Sequence, residues 1–333
     1  MTTIKDVSRR ANVSPATVSR VLNGVVPVSH SKRVAVLAAI DELDYQPNAF
    51  ARSLATNRSR AIGTLVSELS SAVYGDIIRG IESVAEAQGL HMVVSSGHAS
   101  SEIERRSFAL LQERRTDALI VQVDATSDEE LVTWACNTSL PVVVVGRHIP
   151  AIAERCVYLD NVAGGALATR HLLERGHRRI AHIAGLMRIT DARDRLTGYR
   201  QALAENDLPF EEALVAEGGF TEDGGYRAMQ QLLERDAGFT AVFAANDQSA
   251  AGALKALREA GLRVPDDISL VGFDDLLIAH YLYPALTTVL QPFAEMGQAA
   301  AWLALTALGI DEEREVTRRF EPALVERDSV TAP

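Results

Sequence analysis

Thr2 to Gly24, TTIKDVSRRANVSPATVSRVLNG, decides how the rest of the chain is read. Thr3 followed by Asp6 has the spacing of an N-terminal cap, and Ile4, Val7 and Ala11 recur at helical spacing, so a first helix follows. Asn12 tolerates the left-handed conformation that closes a helix. Ser14-Pro15 supplies the next start, with a side-chain oxygen for orphan N–H groups and a residue that needs no N–H bond. Val18, Val21 and Leu22 form the buried stripe of this second helix, and Gly24 closes it. Its other face carries Pro15, Ala16, Thr17, Ser19, Arg20 and Asn23, small and polar groups with one guanidinium, which suit a helix lying in a DNA major groove. An ordinary surface helix pair would satisfy the same pattern.

The charge distribution bears on the two readings. The chain has 333 residues, 47% of them apolar, and a formal charge of −11, which describes a globular protein with room for more than one core. Residues 1–60 nevertheless hold nine Lys/Arg against four acids, a surplus of +5, while the remainder carries −16. A basic head on an acidic body fits the electrostatic footprint of phosphate binding at one end, and charge noise in a short segment would give the same surplus. No run approaches the length of a membrane span, and Lys5, Asp6, Arg9 and Arg10 interrupt any signal-peptide hydrophobic region, so a cytoplasmic protein without a membrane partner is expected.

Beyond the loop Val25 to Ser29, Val34, Leu37, Ile40 and Leu43 mark a third helix that closes a small core under the first two. Pro47 stops it, and Asn48 can cap a short segment, AFARSLA, that is too short to be stable alone and should depend on a partner. Arg52 and Arg58 suit phosphates, and Leu54 suits an apolar wedge in a minor groove, or else a linker residue packing on the body.

TIKDVSRRANVSPATVSRVLNG, then YQPNAFARSLA, then AIG opening a strand, resembles the lactose/galactose-repressor family of bacterial transcription regulators over nearly the whole chain, with galactose-repressor type members the most similar. The resemblance implies a helix-turn-helix headpiece with Pro15, Ala16 and Arg20 near base edges and Thr17, Ser19 and Asn23 nearer the backbone. Thr3, Ser14, Asn48 and Arg52 complete the candidate DNA contacts, and Leu54 becomes the wedge of a hinge helix. Ser8 and Asn12 stand where the family more often has Ala and Gly. The implied organisation is a headpiece at 1–47, a hinge and linker at 48–60, and an effector-binding and dimerisation domain at 61–333. Within the last, one subdomain takes about 61–160 and 291–320, the other about 161–290 and 321–330.

The residues after Ala61 support an α/β domain independently. AIGTLVS, LHMVVSS, DALIVQV and PVVVVG, and later RRIAHIAG, TAVFAA and DISLVGF, read as strands with amphipathic helical stretches between them. Near-continuous Val/Ile/Leu runs separated by helices mean parallel strands buried on both faces. Two such units in tandem place a cleft between them, lined from the strand C-terminal ends. The resemblance agrees, implying the fold of periplasmic sugar-binding proteins.

A sugar is held by planar polar side chains and a flat apolar face, and this chain has both at strand ends. Asn246-Asp247 follows TAVFAA, Asp274-Asp275 follows DISLVGF, and Arg195 follows the loop GLMRITDARD. The resemblance implies that Arg195, Asn246 and Asp274 contact a small sugar effector, that Phe220 gives a ring face and that Phe293 sits at the interdomain crossing. Ser71, Val73, Tyr74 and Gln122 match further pocket positions, and Arg147 is a further candidate effector contact beside Gly146, which stands where relatives commonly offer Asn or Asp. The acids also suit helix caps, and Phe293 suits a core.

Catalytic patterns are absent: no G-x-S-x-G turn, no H-E-x-x-H helix, no Walker-type loop. His171, His177 and His182 do not share a helical face, so no metal or other cofactor is expected. Asp274 and Asp275, adjacent on an extended strand end, would point to opposite faces and could not flank one bond. Cys136 and Cys156 are expected to be buried structural residues.

These observations converge on a homodimeric repressor that binds double-stranded, pseudo-palindromic operator DNA and is released by a sugar inducer. A regulator with a co-repressor or a non-sugar effector remains open, as do a sugar-binding transport protein and a sugar enzyme. No heptad pattern follows Arg327, which favours a dimer over a coiled-coil tetramer.

Overall fold

The opening stretch forms α1 (Ile4–Arg10) and α2 (Pro15–Asn23) in a computed structural model that describes residues 2–23, 28–45 and 59–333. The expectations for Gly24, Asn48, Arg52, Leu54 and Arg58 lie outside the described residues. The caps are built as the residue types require. The Asp6 carboxylate accepts from the Thr3 N–H at 2.9 Å and its hydroxyl at 2.6 Å, Asn12 turns the chain at φ 51°, and Ser14 Oγ accepts from Thr17 N–H at 3.2 Å.

The third helix, α3 (His30–Glu42), closes the small core, but with a different face from the one expected. Val36 and Ala39 are buried with Val7, Val18 and Tyr45, and Ile40 and Leu43 pack against them, whereas Val34 and Leu37 are 52% and 49% exposed. Positions 34, 37, 40 and 43 step by three, and each such step falls about 60° short of a 3.6-residue turn, so the four drift around the helix. Positions 36, 39/40 and 43 alternate three and four and hold one stripe.

The chain divides into a unit of Met1–Arg60 and a unit of Ala61–Pro333. The second contains two six-stranded sheets. The first sheet has strands β1 (Ala61–Val66), β2 (His91–Ser96), β3 (Ala118–Gln122), β4 (Val142–Val145), β5 (Cys156–Leu159) and β11 (Arg319–Phe320), in spatial order β11-β5-β4-β3-β1-β2, all parallel. The second has β6 (Ile180–Ala184), β7 (Val215–Glu217), β8 (Ala241–Ala244), β9 (Ser269–Asp274), β10 (Thr287–Leu290) and β12 (Ala323–Val325), in order β12-β10-β9-β8-β6-β7, with β12 alone antiparallel to its neighbour. Burial on both faces explains the unbroken VVVV of β4 and AVFA of β8, every residue of which is buried.

Helices α4 (Ala72–Ala87), α5 (Ser101–Glu113), α6 (Asp128–Asn137) and α12 (Phe293–Ala307) pack in the first half. Helices α7 (Asn161–Glu174), α8 (Thr190–Glu205), α9 (Glu222–Glu234), α10 (Asp247–Glu259) and the short α11 (Leu277–Tyr281) pack in the second. The chain passes from one sheet to the other after β5, after β10, and between β11 and β12. The contact of α7 with α8 is close enough that a Cβ on Gly165 would run into the carbonyl oxygen of Arg195. Cys156 is buried as expected, but Cys136, near the end of α6, is exposed.

Candidate functional site

In the first unit the face of α2 opposite Val18 is open. Pro15, Ala16 and Arg20 are exposed, and Thr17 and Ser19 are half-buried. Thr3 is exposed at the start of α1, and Ser14 places its hydroxyl 3.0 Å from that of Thr17. Two neighbouring cations are paired locally, Arg9 with Asp6 and Arg10 with Glu42. The exposed guanidinium of Arg20 projects from the helix whose other side fills the core.

In the second unit a cavity of about 400 Å³ opens where the C-terminal ends of both sheets meet. Parallel strands put their C-terminal ends at one edge, so the residues just beyond them converge there. Gln122 ends β3, Gly146 follows β4, Asn246 follows β8, Asp274 ends β9 and Gln291 follows β10, and all line the cavity. Ser71, Val73 and Tyr74 enter from the start of α4, and Phe220 and Phe293 supply aromatic walls.

Arg195 is the centre of this edge. It lies in the second turn of α8, four per cent exposed, with Nε donating to Asn161 Oδ1 at 2.8 Å, Nη2 donating to Gln291 Oε1 at 3.0 Å, and Nη1 donating to the Ala245 carbonyl and to Asp274 Oδ1, the latter at 3.2 Å. Its guanidinium carbon sits 3.6 Å from the Phe273 ring centroid and 5.6 Å from that of Phe220. A guanidinium has five N–H donors in a rigid fork, so these partners fix its plane and leave little of it unsatisfied.

The carboxylates of the cavity are under opposing influences. Burial pushes Asp274 up to about 7 against the pull of Arg195, and Asp191 adds to the rise. Burial likewise pushes Asp191 up to about 6, opposed by Arg195 and helped by Asp124. Asp124 accepts from the Tyr74 hydroxyl at 2.6 Å, and burial together with that carboxylate raises the phenol far above its ordinary value, so Tyr74 stays a proton donor.

The loop carrying Asp124 is clamped from two sides. Glu104, fully buried, accepts from the backbone N–H of Asp124, Ala125 and Thr126 at 3.3, 3.2 and 2.7 Å, and from the Thr126 hydroxyl at 2.6 Å. Arg147 donates to the carbonyls of Thr126, at 2.8 Å, and Val123, and pairs with Asp128 at 3.2 Å. Its guanidinium holds the loop and borders a neighbouring hollow, not the main cavity. Ser71, Val73, Tyr74, Gln122, Arg195, Phe220, Asn246, Asp274 and Phe293 are all brought together.

Several roles are mixed. Asn246 caps α10, its Oδ1 accepting from Ser249 N–H at 2.9 Å and its Nδ2 donating to the Phe220 carbonyl at 3.1 Å, so it both lines the cavity and holds Phe220 at φ 64°. Asp247 is fully buried behind it, accepting from Leu276 N–H at 2.7 Å and the Thr288 hydroxyl at 2.6 Å. Asp275 pairs with Arg327 at 2.6 Å while Asp274 pairs with Arg195. The two acids do diverge, though not by strand alternation: both lie at positive φ, 107° and 56°, so the chain turns between them.

Asp124, Asp191 and Gln291 also line the cavity, beyond the residues expected there. Asp124 stands just beyond DALIVQV, where the rule applied to Asn246 and Asp274 would have found it. Asp191 lay within the quoted loop GLMRITDARD, and Gln291 follows a four-residue strand too short to announce itself.

The imidazoles are used internally. His182 stacks between Tyr199 and Phe243, at 5.2 and 4.7 Å, with Nδ1 2.9 Å from the Phe243 carbonyl. His177 bridges Thr240 Oγ1 and the Thr331 carbonyl at 2.8 and 2.9 Å. Among the described residues no group of three or more His, Cys, Asp or Glu is arranged to hold a metal. Nor is any helix there long and apolar enough to cross a membrane.

Comparison with known proteins covers both units. A family model described as bacterial regulatory proteins, lacI family, matches residues 3–48, and one described as a periplasmic binding protein-like domain matches residues 169–330. The HTH-type transcriptional regulator GalR of Salmonella typhimurium (strain SL1344) is 42% identical over 334 residues, covering 100% of this chain and 97% of its own. Among solved structures, the lac repressor dimer bound to operator and the anti-inducer ONPF superposes with a TM-score of 0.90 at 31% identity, covering 99% of each chain. A transcriptional regulator CelR–cellobiose complex matches with a TM-score of 0.73 at 34% identity, over 99% of this chain and 100% of that one.

Proposed function

Because the chain belongs to the lacI family of bacterial regulatory proteins, and is therefore a DNA-binding transcriptional regulator and not an enzyme, we propose that it is a homodimeric repressor released from its operator by a small sugar. The headpiece at 1–47 reads a half-site through Pro15, Ala16 and Arg20 on α2. Thr3, Ser14, Thr17, Ser19 and Asn23 hold its position on the backbone. The hinge at 48–60, with Asn48, Arg52 and the wedge Leu54, completes binding in the minor groove at the centre of the site.

The observation that carries the sugar reading is the arrangement around Arg195. One guanidinium, fixed in plane by Asn161, Ala245, Asp274 and Gln291, lines a cavity with aromatic walls at Phe220 and Phe293. Planar polar groups beside flat apolar faces match the two sides of a pyranose. The relatives support it in their own terms: one solved structure is a complex with cellobiose. A ligand held across both sheets shifts the equilibrium between subdomain arrangements by its differential affinity, and we place the inducing arrangement in the state with the hinges apart.

Operator affinity titrated with a panel of mono- and disaccharides tests this. A sugar that weakens specific binding is the expected result. Affinity that rises with ligand would make the protein a co-repressor-dependent regulator instead.

A further inference from the structure

The cavity has a chemical bias. Its charged lining consists of Glu68, Asp124, Asp191 and Asp274 against Arg188 and Arg195. Arg188 is exposed at the rim, and Arg195 is already engaged by Asn161, Gln291, the Ala245 carbonyl and Asp274. The interior therefore faces a ligand with carboxylates on two sides. Asp124 comes from the loop after β3 in the first sheet, and Asp191 and Asp274 come from α8 and β9 in the second half.

One acceptor of the lining lacks a donor. Gln122 Oε1 is buried at the cavity wall with no partner among the described residues, while its Nε2 lies 3.5 Å from Asp124 Oδ1. Asn246 has its amide oxygen on Ser249 and its amide nitrogen on Phe220. A buried acceptor without a donor is costly, so the ligand that fits best brings hydroxyl hydrogens to it.

Resting on the sugar reading above, we infer that Asp124 and Asp191, facing one cavity from opposite halves of the domain, select an uncharged, hydroxyl-rich sugar and exclude sugar phosphates and sugar acids. A neutral hydroxyl donates to either carboxylate and separates them. A phosphate or carboxylate group brings further negative charge beside these carboxylates, and it supplies no hydrogen to Gln122. The carboxylates of Asp191 and Asp274, held above their ordinary values chiefly by burial, report how little more negative charge this space accepts. Like charges within one desolvated site disfavour each other strongly enough to set specificity.

The test uses the full chain and matched triads of ligands: glucose, glucose 6-phosphate and glucuronate, with the same three forms of other hexoses. Thermal shift selects the hexose that binds, and calorimetry measures each member. The neutral sugar is expected to bind at least about 100-fold more tightly than either anion. In Asp191→Asn and Asp124→Asn that ratio should shrink to about 10-fold or less, with operator binding confirming that each variant folds. An anionic member binding as tightly as its neutral parent overturns the inference and leaves the sugar reading standing. Unchanged discrimination in both Asn variants also overturns it. Silence from every sugar, charged or neutral, removes the sugar reading itself and this inference with it.

Discussion

Arg195 and Asp274 form an ion pair whose side chains are only 4% and 5% exposed, with Nη1 3.2 Å from Oδ1. Breaking such a pair leaves one charge buried without its partner, at about 3 kcal/mol or more. Arg195→Ala should therefore lower the melting temperature as well as abolish the response to effector, while operator affinity without effector stays near normal. Melting by calorimetry and operator titration with and without sugar separate the two effects. An unchanged response to sugar removes Arg195 from the site.

Asp274 should make effector binding depend on pH. Its folded-state value is raised to about 7, so near neutrality it is partly protonated. A ligand hydroxyl that donates to it favours the ionised form, and binding then releases a proton, so affinity should rise between about pH 6 and 8 and level off above. Asp274→Asn should flatten the profile. Calorimetry in two buffers of different ionisation enthalpy measures the proton directly, and proton uptake would contradict the assignment. For folding, the sign is opposite to that of a paired surface acid: the native chain keeps a proton the unfolded chain gives up near 3.8, so this group's contribution is full at low pH and declines as pH rises through about 7.

His182 acts in the other direction. Burial between Tyr199 and Phe243 lowers it from 6.5 to about 4, so its neutral ring contributes stability above 6.5 that is lost as pH falls towards 4. The shift corresponds to roughly 3 kcal/mol over that window. His182→Phe removes the titration and also the partner of the Phe243 carbonyl, so the variant should start no more stable at pH 7 yet lose less on acidification. Urea unfolding at a series of pH values reads the difference in slope.

Gly165 sets the position of Arg195 through the backbone. A Cβ there meets the Arg195 carbonyl, so Gly165→Ala forces α7 and α8 apart. Overpacking of this kind costs about 1–3 kcal/mol. Effector affinity should fall together with the melting temperature, because the guanidinium moves with its helix. Operator binding without effector provides the control.

Arg20 is exposed on the open face of α2. Arg20→Ala should weaken specific operator binding by about 1–3 kcal/mol and relax the preference at one base pair, with a smaller change in non-specific binding. Binding to operator and to random duplex at several salt concentrations tests it. Equal loss on both duplexes would make Arg20 a phosphate contact.

The headpiece shows how far local rules reach. The spacing of Thr3 and Asp6, the turn at Asn12 and the start at Ser14-Pro15 each act within one or two turns of chain, and each was legible. The stripe of α3 was misread, because Val34 and Val36 are equally apolar and the step of three through Val34, Leu37, Ile40 and Leu43 drifts around the helix, away from the face that packs on Val7 and Val18. Strands β5, β7, β10, β11 and β12 escaped for a related reason: segments of two to four residues are too short to carry a periodic pattern.

By itself the sequence determined that a basic helix pair precedes two parallel α/β units, and that polar residues at the ends of buried strands meet in a cleft. Those features follow from periodicity, capping and the geometry of parallel strands, all short in range along the chain. Only the tertiary structure decided how each polar group is spent. Arg147 clamps the loop of Asp124, Asn246 caps α10 while lining the cavity, Asp274 and Asp275 turn to different arginines, and Asp124 and Asp191 face one space from opposite halves. Among the partners of Arg195, Gln291 lies 96 positions away in sequence. No local pattern specifies which of several available donors and acceptors folding will bring within 3 Å of one another.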